Sequence, residues 1–123
     1  MPDKSIDWER VRRAARALPG LKDELEESTC YGAPALKLRG ELVACIPTHK
    51  SAEPGSLAVR IDPDSRAEML EAAPEVYYAP DHYRDSPIVL VRLRHIDQDV
   101  LRDLLQTGVK FVAAGKARKR ARR

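Results

Sequence analysis

No stretch of this 123-residue chain approaches the roughly 20 apolar residues that a membrane-spanning helix needs. The opening Met1-Pro2-Asp3-Lys4-Ser5 lacks the apolar core of a secretory signal, so a cytoplasmic protein with no membrane partner is the expectation. Cysteine is scarce. Cys30 and Cys45 stand 15 positions apart, a spacing that fits neither a CxxC redox motif nor a zinc site. A structural disulfide is not expected in the cytosol. Cys45 lies in an apolar run and reads as a small core residue, whereas Cys30 sits at a turn and reads as more exposed. There is no glycine-rich phosphate loop and no serine elbow motif. His49, His82 and His95 lack metal-ligand spacing, and no pair of carboxylates stands in an apolar setting as acid and base. Nothing here requires catalysis, a metal or a cofactor.

Aromatic residues are few, with one Trp, one Phe and four Tyr. Charge is plentiful but unevenly placed. The chain has 22 basic and 19 acidic residues, and six of the basic ones fall in its last eight positions. The remainder therefore carries 16 basic residues against 19 acids, a balance of −3. Lys116, Arg118, Lys119 and Arg120 head that basic end. A basic tail on a mildly acidic body suits non-specific contact with a polyanion, and equally suits a solvated end without a partner.

The length allows one hydrophobic core. Residues 1–115 read as the domain and 116–123 as a basic tail. Trp8, Val11, Ala15 and Leu18 share one face of a helix over Asp7 to Leu18, which Pro19-Gly20 ends. An acidic edge strand is expected over Lys22 to Ser28, then a turn, then strands over Ala35 to Arg39 and Glu41 to Ile46 joined at Gly40. Leu57 to Ile61 alternates with Leu57, Val59 and Ile61 inward. Asp62-Pro63 opens a second helix, with Ala67, Leu70 and Ala73 inward. Val76 to Ala79 and Ile88 to Arg94 read as strands. The last helix starts at Asp97, with Ile96 stapled on Leu101, and buries Leu101, Leu104, Leu105, Gly108, Phe111 and Val112. After Gly115 the tail is expected to be disordered or weakly helical. The order helix, strands, helix, strands, helix with short connections gives an α+β fold, a two-layer antiparallel sheet packed against helices.

Two sets of residues are candidates for binding. Lys37, Arg39, Arg60, Arg92 and Arg94 lie opposite the apolar sets of their strands. They form one basic stripe on the uncovered sheet face, or a solvated face paired with Glu26, Glu27 and Glu41. His82, Tyr83 and Arg84 precede Pro87 and an apolar strand. They offer a proton-transfer or anion-donor group, a stacking ring and a bidentate phosphate contact, or else serve the loop's own structure.

Cys30-Tyr31-Gly32-Ala33-Pro34-Ala35-Leu36-Lys37 resembles the Tyr-Gly-x-Pro-x-Φ-Lys signature, Φ being apolar, of the MmcQ/YjbR family of small bacterial proteins. His82-Tyr83-Arg84, Pro87 and Val89-Leu90-Val91-Arg92-Leu93 resemble its second signature, with Val59-Arg60-Ile61-Asp62 between them. The resemblance implies a two-layer fold of the type called CyaY-like or secretion-chaperone-like, and such proteins are commonly labelled DNA-binding. It carries the family's characteristic positions onto Tyr31, Gly32, Pro34, Lys37, Arg60, His82, Tyr83, Arg84, Pro87 and Arg92. The chain departs from the pattern at Asp85-Ser86-Pro87-Ile88 and in its Arg-rich tail. The leading expectation is a non-catalytic DNA-binding protein that meets phosphates through the sheet face and the tail. The competing expectation is a binding module for a protein or a small anionic ligand around Tyr31, Lys37, His82 and Arg84. Convergence of those four on an enclosed pocket favours the second, and a broad basic face the first.

Overall fold

The computed structural model describes residues 4–18 and 24–121, with side chains over 7–18 and 24–115. The predicted helix stop at Pro19-Gly20 and the side chains of Lys116, Arg118, Lys119 and Arg120 lie outside the described residues. Among the described residues three α-helices accompany a six-stranded sheet: α1 (Lys4–Arg16), β1 (Leu25–Cys30), β2 (Ala33–Leu38), β3 (Glu41–Cys45), β4 (Ser56–Arg60), α2 (Pro63–Ala72), β5 (Tyr77–Tyr78), β6 (Ile88–Arg92) and α3 (Gln98–Ala121). The strands run β1-β2-β3-β4-β6-β5 across the sheet, with every pairing antiparallel. The fold is α+β in the expected element order.

Two tight turns set the first three strands. Tyr31-Gly32 and Arg39-Gly40 each join two strands through two residues, and all four have φ between 51° and 87°. Positive φ at both central positions matches the right-handed twist of the flanking strands, which is why glycine holds the second position of each. Between β2 and β3 the register slips. Leu36 faces Ala44 and Lys37 faces Leu42, so Val43 is an extra residue. This bulge turns both Val43 and Ala44 toward the helices, where simple alternation would send one of them away.

The main core lies between the sheet and α1 and α3. It combines Trp8 and Val11 of α1 with Leu36, Leu57, Val59, Val89 and Val91 of the sheet and Leu101, Leu105, Val109 and Val112 of α3. Gly108 is part of that contact surface. A Cβ there would stand 2.8 Å from the Arg60 carbonyl oxygen and 3.0 Å from Val59 Cγ1. The missing side chain lets α3 lie close on β4.

Several expectations need correction. α1 begins three residues before Asp7. Asp62 does cap α2, its carboxylate accepting from the Ser65 N–H at 2.9 Å, with Pro63 at the first helical position. Yet α2 buries no residue fully: Ala67 is exposed, and Met69 and Leu70 rest half-buried against the core. β6 ends at Arg92, and Leu93–His95 form a short 3-10 turn, so Arg94 is not a strand residue. The cause is Arg10, whose guanidinium donates to the carbonyl oxygens of Leu93 at 2.7 Å and Ile96 at 2.9 Å. α3 continues helical past Gly115 to Ala121.

Candidate functional site

The sheet face away from the main core is neither open nor broadly basic. Ala35, Cys45, Ala58 and Leu90 form a second, smaller apolar cluster there. Three of the four are small, so the middle of this face is low. Tyr78, Tyr83, Leu42 and Ile88 pack around its margin. The result is a cavity of about 650 Å³, within the range of small-molecule sites. Its floor is Cys45, Ala58 and Ile88. Its walls are the β1–β2 turn with Tyr31, the β3–β4 loop with Pro47, His49 and Lys50, and the loop after β5 with His82, Tyr83 and Ser86.

A stacked pair of imidazoles stands at the rim. The rings of His49 and His82 lie 3.6 Å apart between centroids and 9° from parallel. Tyr83 meets both edge-on, at 4.8 Å from His82 and 6.3 Å from His49. The Ser51 N–H donates to His49 Nδ1 at 3.1 Å, and the Ser51 hydroxyl is 2.7 Å from the same nitrogen. A backbone amide can only donate, so Nδ1 accepts and the neutral ring carries its proton on Nε2. Burial lowers the pKa of His49 below 6.5, and the neighbouring His82 and Lys50 lower it further. His49 is thereby held neutral, while His82 is exposed.

The loop that presents His82 is braced from behind. Asp81–Tyr83 form a 3-10 turn, and Arg66 of α2 donates to the Tyr83 carbonyl at 3.0 Å and the Ile88 carbonyl at 2.8 Å. Pro87, expected to fix this backbone, supplies a carbonyl that accepts from the Ile61 N–H at 3.0 Å. Burial raises the pKa of Tyr83, with Cys45, Tyr78 and Cys30 adding to the shift, so its hydroxyl remains a donor at neutral pH.

Tyr31 occupies the opposite wall at 92% exposure, with φ at 51°. A large aromatic residue in left-handed backbone is a strained choice where asparagine or glycine is favoured. Cys30 and Cys45 both line the cavity as free thiols. They lie on strands separated by β2, and a side-chain hydrogen bond joins the two thiols. Burial pushes the Cys45 thiol up to about 12, with Cys30 contributing, which favours the protonated thiol at neutral pH. Among the described residues no cluster of His, Cys, Asp or Glu could hold a metal ion.

The predicted basic stripe is broken up. Arg39 sits in the β2–β3 turn and pairs with Glu24 at 2.7 Å. Arg60 and Arg92 lie at opposite ends of the β4–β6 pair. Arg60 reaches Glu41 at 3.6 Å and stands 5.7 Å from the centre of the Phe111 ring. Arg92 is clamped by Glu53 and stacked 4.2 Å over Tyr78. Lys37 faces Glu26 across β1 and β2. Arg94 is exposed, with Nε 3.4 Å from His95 Nε2. Arg84 pairs with Asp81 at 2.6 Å and does not line the cavity. Of the four residues expected to converge, the fold brings Tyr31 and His82 to one cavity and leaves Lys37 and Arg84 outside it. Gly32 completes the turn that presents Tyr31, and Pro34 opposes Thr29 beside it.

Nothing in the sequence pattern marks Lys50 or Arg66, and His49 stands out there only as a histidine without metal-ligand spacing. The signal for the cavity was present in Ala35, Cys45 and Ala58, small residues at the face positions of three neighbouring strands. No signal in the sequence placed His49 beside His82. No family model, curated protein or solved structure matches the chain. No helix among the described residues is long and apolar enough to cross a membrane.

Proposed function

We propose that this protein is a binding module for a small ligand held in the cavity between Tyr31 and the His49–His82 pair. The observation that carries the reading is the hollow itself, about 650 Å³ over an apolar floor with polar groups gathered at its rim. Apolar enclosure supplies affinity, and a few placed polar groups supply orientation. The strained, exposed Tyr31 supports the same reading, since strain concentrates at binding sites. A fragment screen followed by amide chemical shifts tests it. Shifts are expected to gather at Cys30, Tyr31, Cys45 to Lys50, Ala58 and His82 to Ile88. Ligands whose shifts scatter over the surface would defeat the reading.

A second reading, non-catalytic DNA binding, is favoured by the run of six basic residues at the chain end, by the helical backbone continuing to Ala121, and by the resemblance to the MmcQ/YjbR family. On this reading the tail, rather than the sheet face, meets phosphates, because Arg39, Arg60, Arg84 and Arg92 already have acidic partners. Salt-titrated anisotropy with labelled duplex DNA tests it, comparing the full chain with a full-length variant in which Lys116, Arg118, Lys119 and Arg120 become Gln. Each lost phosphate contact should reduce the slope of log K against log salt by about 0.9. An unchanged slope would move binding off the tail.

A further inference from the structure

We propose that Cys30 and Cys45 together form a covalent binding site for a trivalent arsenical with one apolar organic group, both sulfurs bonding the arsenic and the organic group lying in the cavity. This rests on the ligand-binding reading of the same cavity and names one chemical class it takes.

The fold brings two distant thiols together. Cys30 ends β1 and Cys45 ends β3, with β2 between them. The β2 residue opposite Cys45 is Ala35, whose single methyl lets longer side chains meet above it. Cys30 packs against the apolar cluster that holds Ala35 and Cys45, and a side-chain hydrogen bond joins the two sulfurs. Both thiols are free and both line the cavity. One atom bonded to both sulfurs fits a pair already in contact.

The number of thiols sets the ligand. The chain has two cysteines, and among the described residues no group of three His, Cys, Asp or Glu could hold a metal ion. An ion that needs three or four ligands is not served here. Trivalent arsenic makes three bonds. The thiols supply two, so the third partner arrives with the ligand. In arsenite that partner is a hydroxyl, set over an apolar floor. In an organic arsenical it is carbon, and its hydrocarbon body rests on Ala58 and Ile88, where burial of apolar surface adds affinity.

Exposure sets the order of the two steps. Cys30 is half-buried and Cys45 is 8% exposed, so Cys30 attacks first. Its sulfur bonds the arsenic, one arsenic–oxygen bond breaks, and the thiol proton leaves with that oxygen as water. Cys45 then displaces the second hydroxyl in the same way. Two thiols and one organic arsenous acid give two arsenic–sulfur bonds and two waters. Arsenic stays trivalent, and nothing is oxidised or reduced. The Cys45 proton departs with an oxygen already on the arsenic, so a thiol pushed up to about 12 need not ionise beforehand. The second step is intramolecular, and holding the sulfurs in place favours it over the same step in an unfolded chain.

Phenylarsine oxide, which water converts to the arsenous acid, tests this on the reduced full-length protein. One equivalent should consume both thiols, read by thiol titration and by a single adduct in the intact mass. The adduct should resist excess glutathione and yield to 2,3-dimercaptopropanol. In Cys30→Ser and in Cys45→Ala only one bond can form, and glutathione should strip the adduct. Affinity in native buffer should exceed that in concentrated urea, and that for arsenite, by about tenfold or more. The phenyl group should displace the uncharged dye N-phenylnaphthylamine from the cavity. Equal affinity in urea, or an adduct that glutathione strips as readily from the parent as from Cys45→Ala, overturns the proposal. So does an arsenical that leaves the dye in place. In each of these cases the cavity reading survives if the dye shifts the amides of Ala58, His49 and Ile88. If the dye shifts none of them and the arsenical does not bind, both fall.

Discussion

Gly108 and Tyr31 are the two positions where a single side chain, absent or present, sets what the fold can do. At Gly108 the helix backbone lies against β4 so closely that an added methyl would meet the Arg60 carbonyl at 2.8 Å. A backbone atom cannot swing aside as a flexible side chain would. Gly108→Ala should therefore destabilise by about 1–3 kcal/mol, despite alanine's better helix propensity. Urea denaturation checks this, and a gain in stability would mean that α3 can ride higher at no cost. Tyr31 is the reverse case, a side chain kept where the backbone disfavours it. Tyr31→Asn retains the turn and relieves left-handed strain, so stability should rise by about 0.5–1 kcal/mol. If the exposed ring serves the ligand, affinity for an uncharged fluorescent dye such as N-phenylnaphthylamine should fall several-fold in the same variant. A loss of stability would show that the ring packs onto the fold instead. Neither residue betrays its role by type alone. Gly108 fits a buried helical stripe on spacing, which places it on the right face, but the carbonyl it touches comes from another element.

Among the elements, those whose cause is local were legible in the sequence and those whose cause is distant were not. Asp62-Pro63 starts α2 because the cap needs only four neighbouring residues. The hairpin at Gly40 follows from two adjacent left-handed positions, with glycine at the second. The 3-10 turn after β6 depends on Arg10, 83 positions from the Leu93 carbonyl it holds, and no local pattern announces it. The bulge at Val43 was equally hidden, because Glu41 to Ile46 is apolar on both sides of the slip. The same divide runs through the candidate site. His82 and Tyr83 stood out beside Pro87, whereas His49 reaches His82 only through the folded β3–β4 loop. Arg66 illustrates the distant kind of cause, since it fastens the His82 loop to α2 by two hydrogen bonds to carbonyls. Arg66→Met keeps much of the stem and removes both donors. The local turn bonds from the Arg84 and Ser86 amides should then open more easily, with hydrogen-exchange protection falling about tenfold or more. Global stability should drop less, because α2 contributes no fully buried residue. Unchanged protection at Arg84 and Ser86 would assign the loop's order to its own turn.

For the molecule as a whole, two carboxylates join parts that are remote in the chain and a third caps a helix, and their titration links stability to pH. Glu27 of β1 accepts from Arg12 at 2.8 Å and from the Trp8 indole at 3.1 Å, tying α1 to the sheet edge. Glu53 of the β3–β4 loop clamps Arg92 at the end of β6, and the stacked Tyr78 below donates to or accepts from Ser56 at 2.6 Å. Asp62 caps α2. Hydrogen bonding from Arg12 and then Trp8 lowers the pKa of Glu27 below 4.5, and bonding from Arg92 does the same for Glu53. The Ser65 amide leads the lowering of Asp62 below 3.8. A folded pKa below the ordinary value means that the ionised form favours folding. The contribution is complete above the ordinary value and disappears as pH falls through the folded one. Glu27 and Glu53 are partly exposed, so each contributes modestly and salt weakens it. Acting on different elements, they should add. Melting temperature should therefore change little from about pH 7 to about pH 5 and decline steadily below about pH 4.5. A variant carrying Glu27→Gln, Glu53→Gln and Asp62→Asn should melt lower at neutral pH and show a shallower acid decline. A parent curve that stays level to about pH 3 would mean that these links do not govern the fold. An equally steep decline in the triple variant would assign acid sensitivity to the remaining carboxylates of the acidic body.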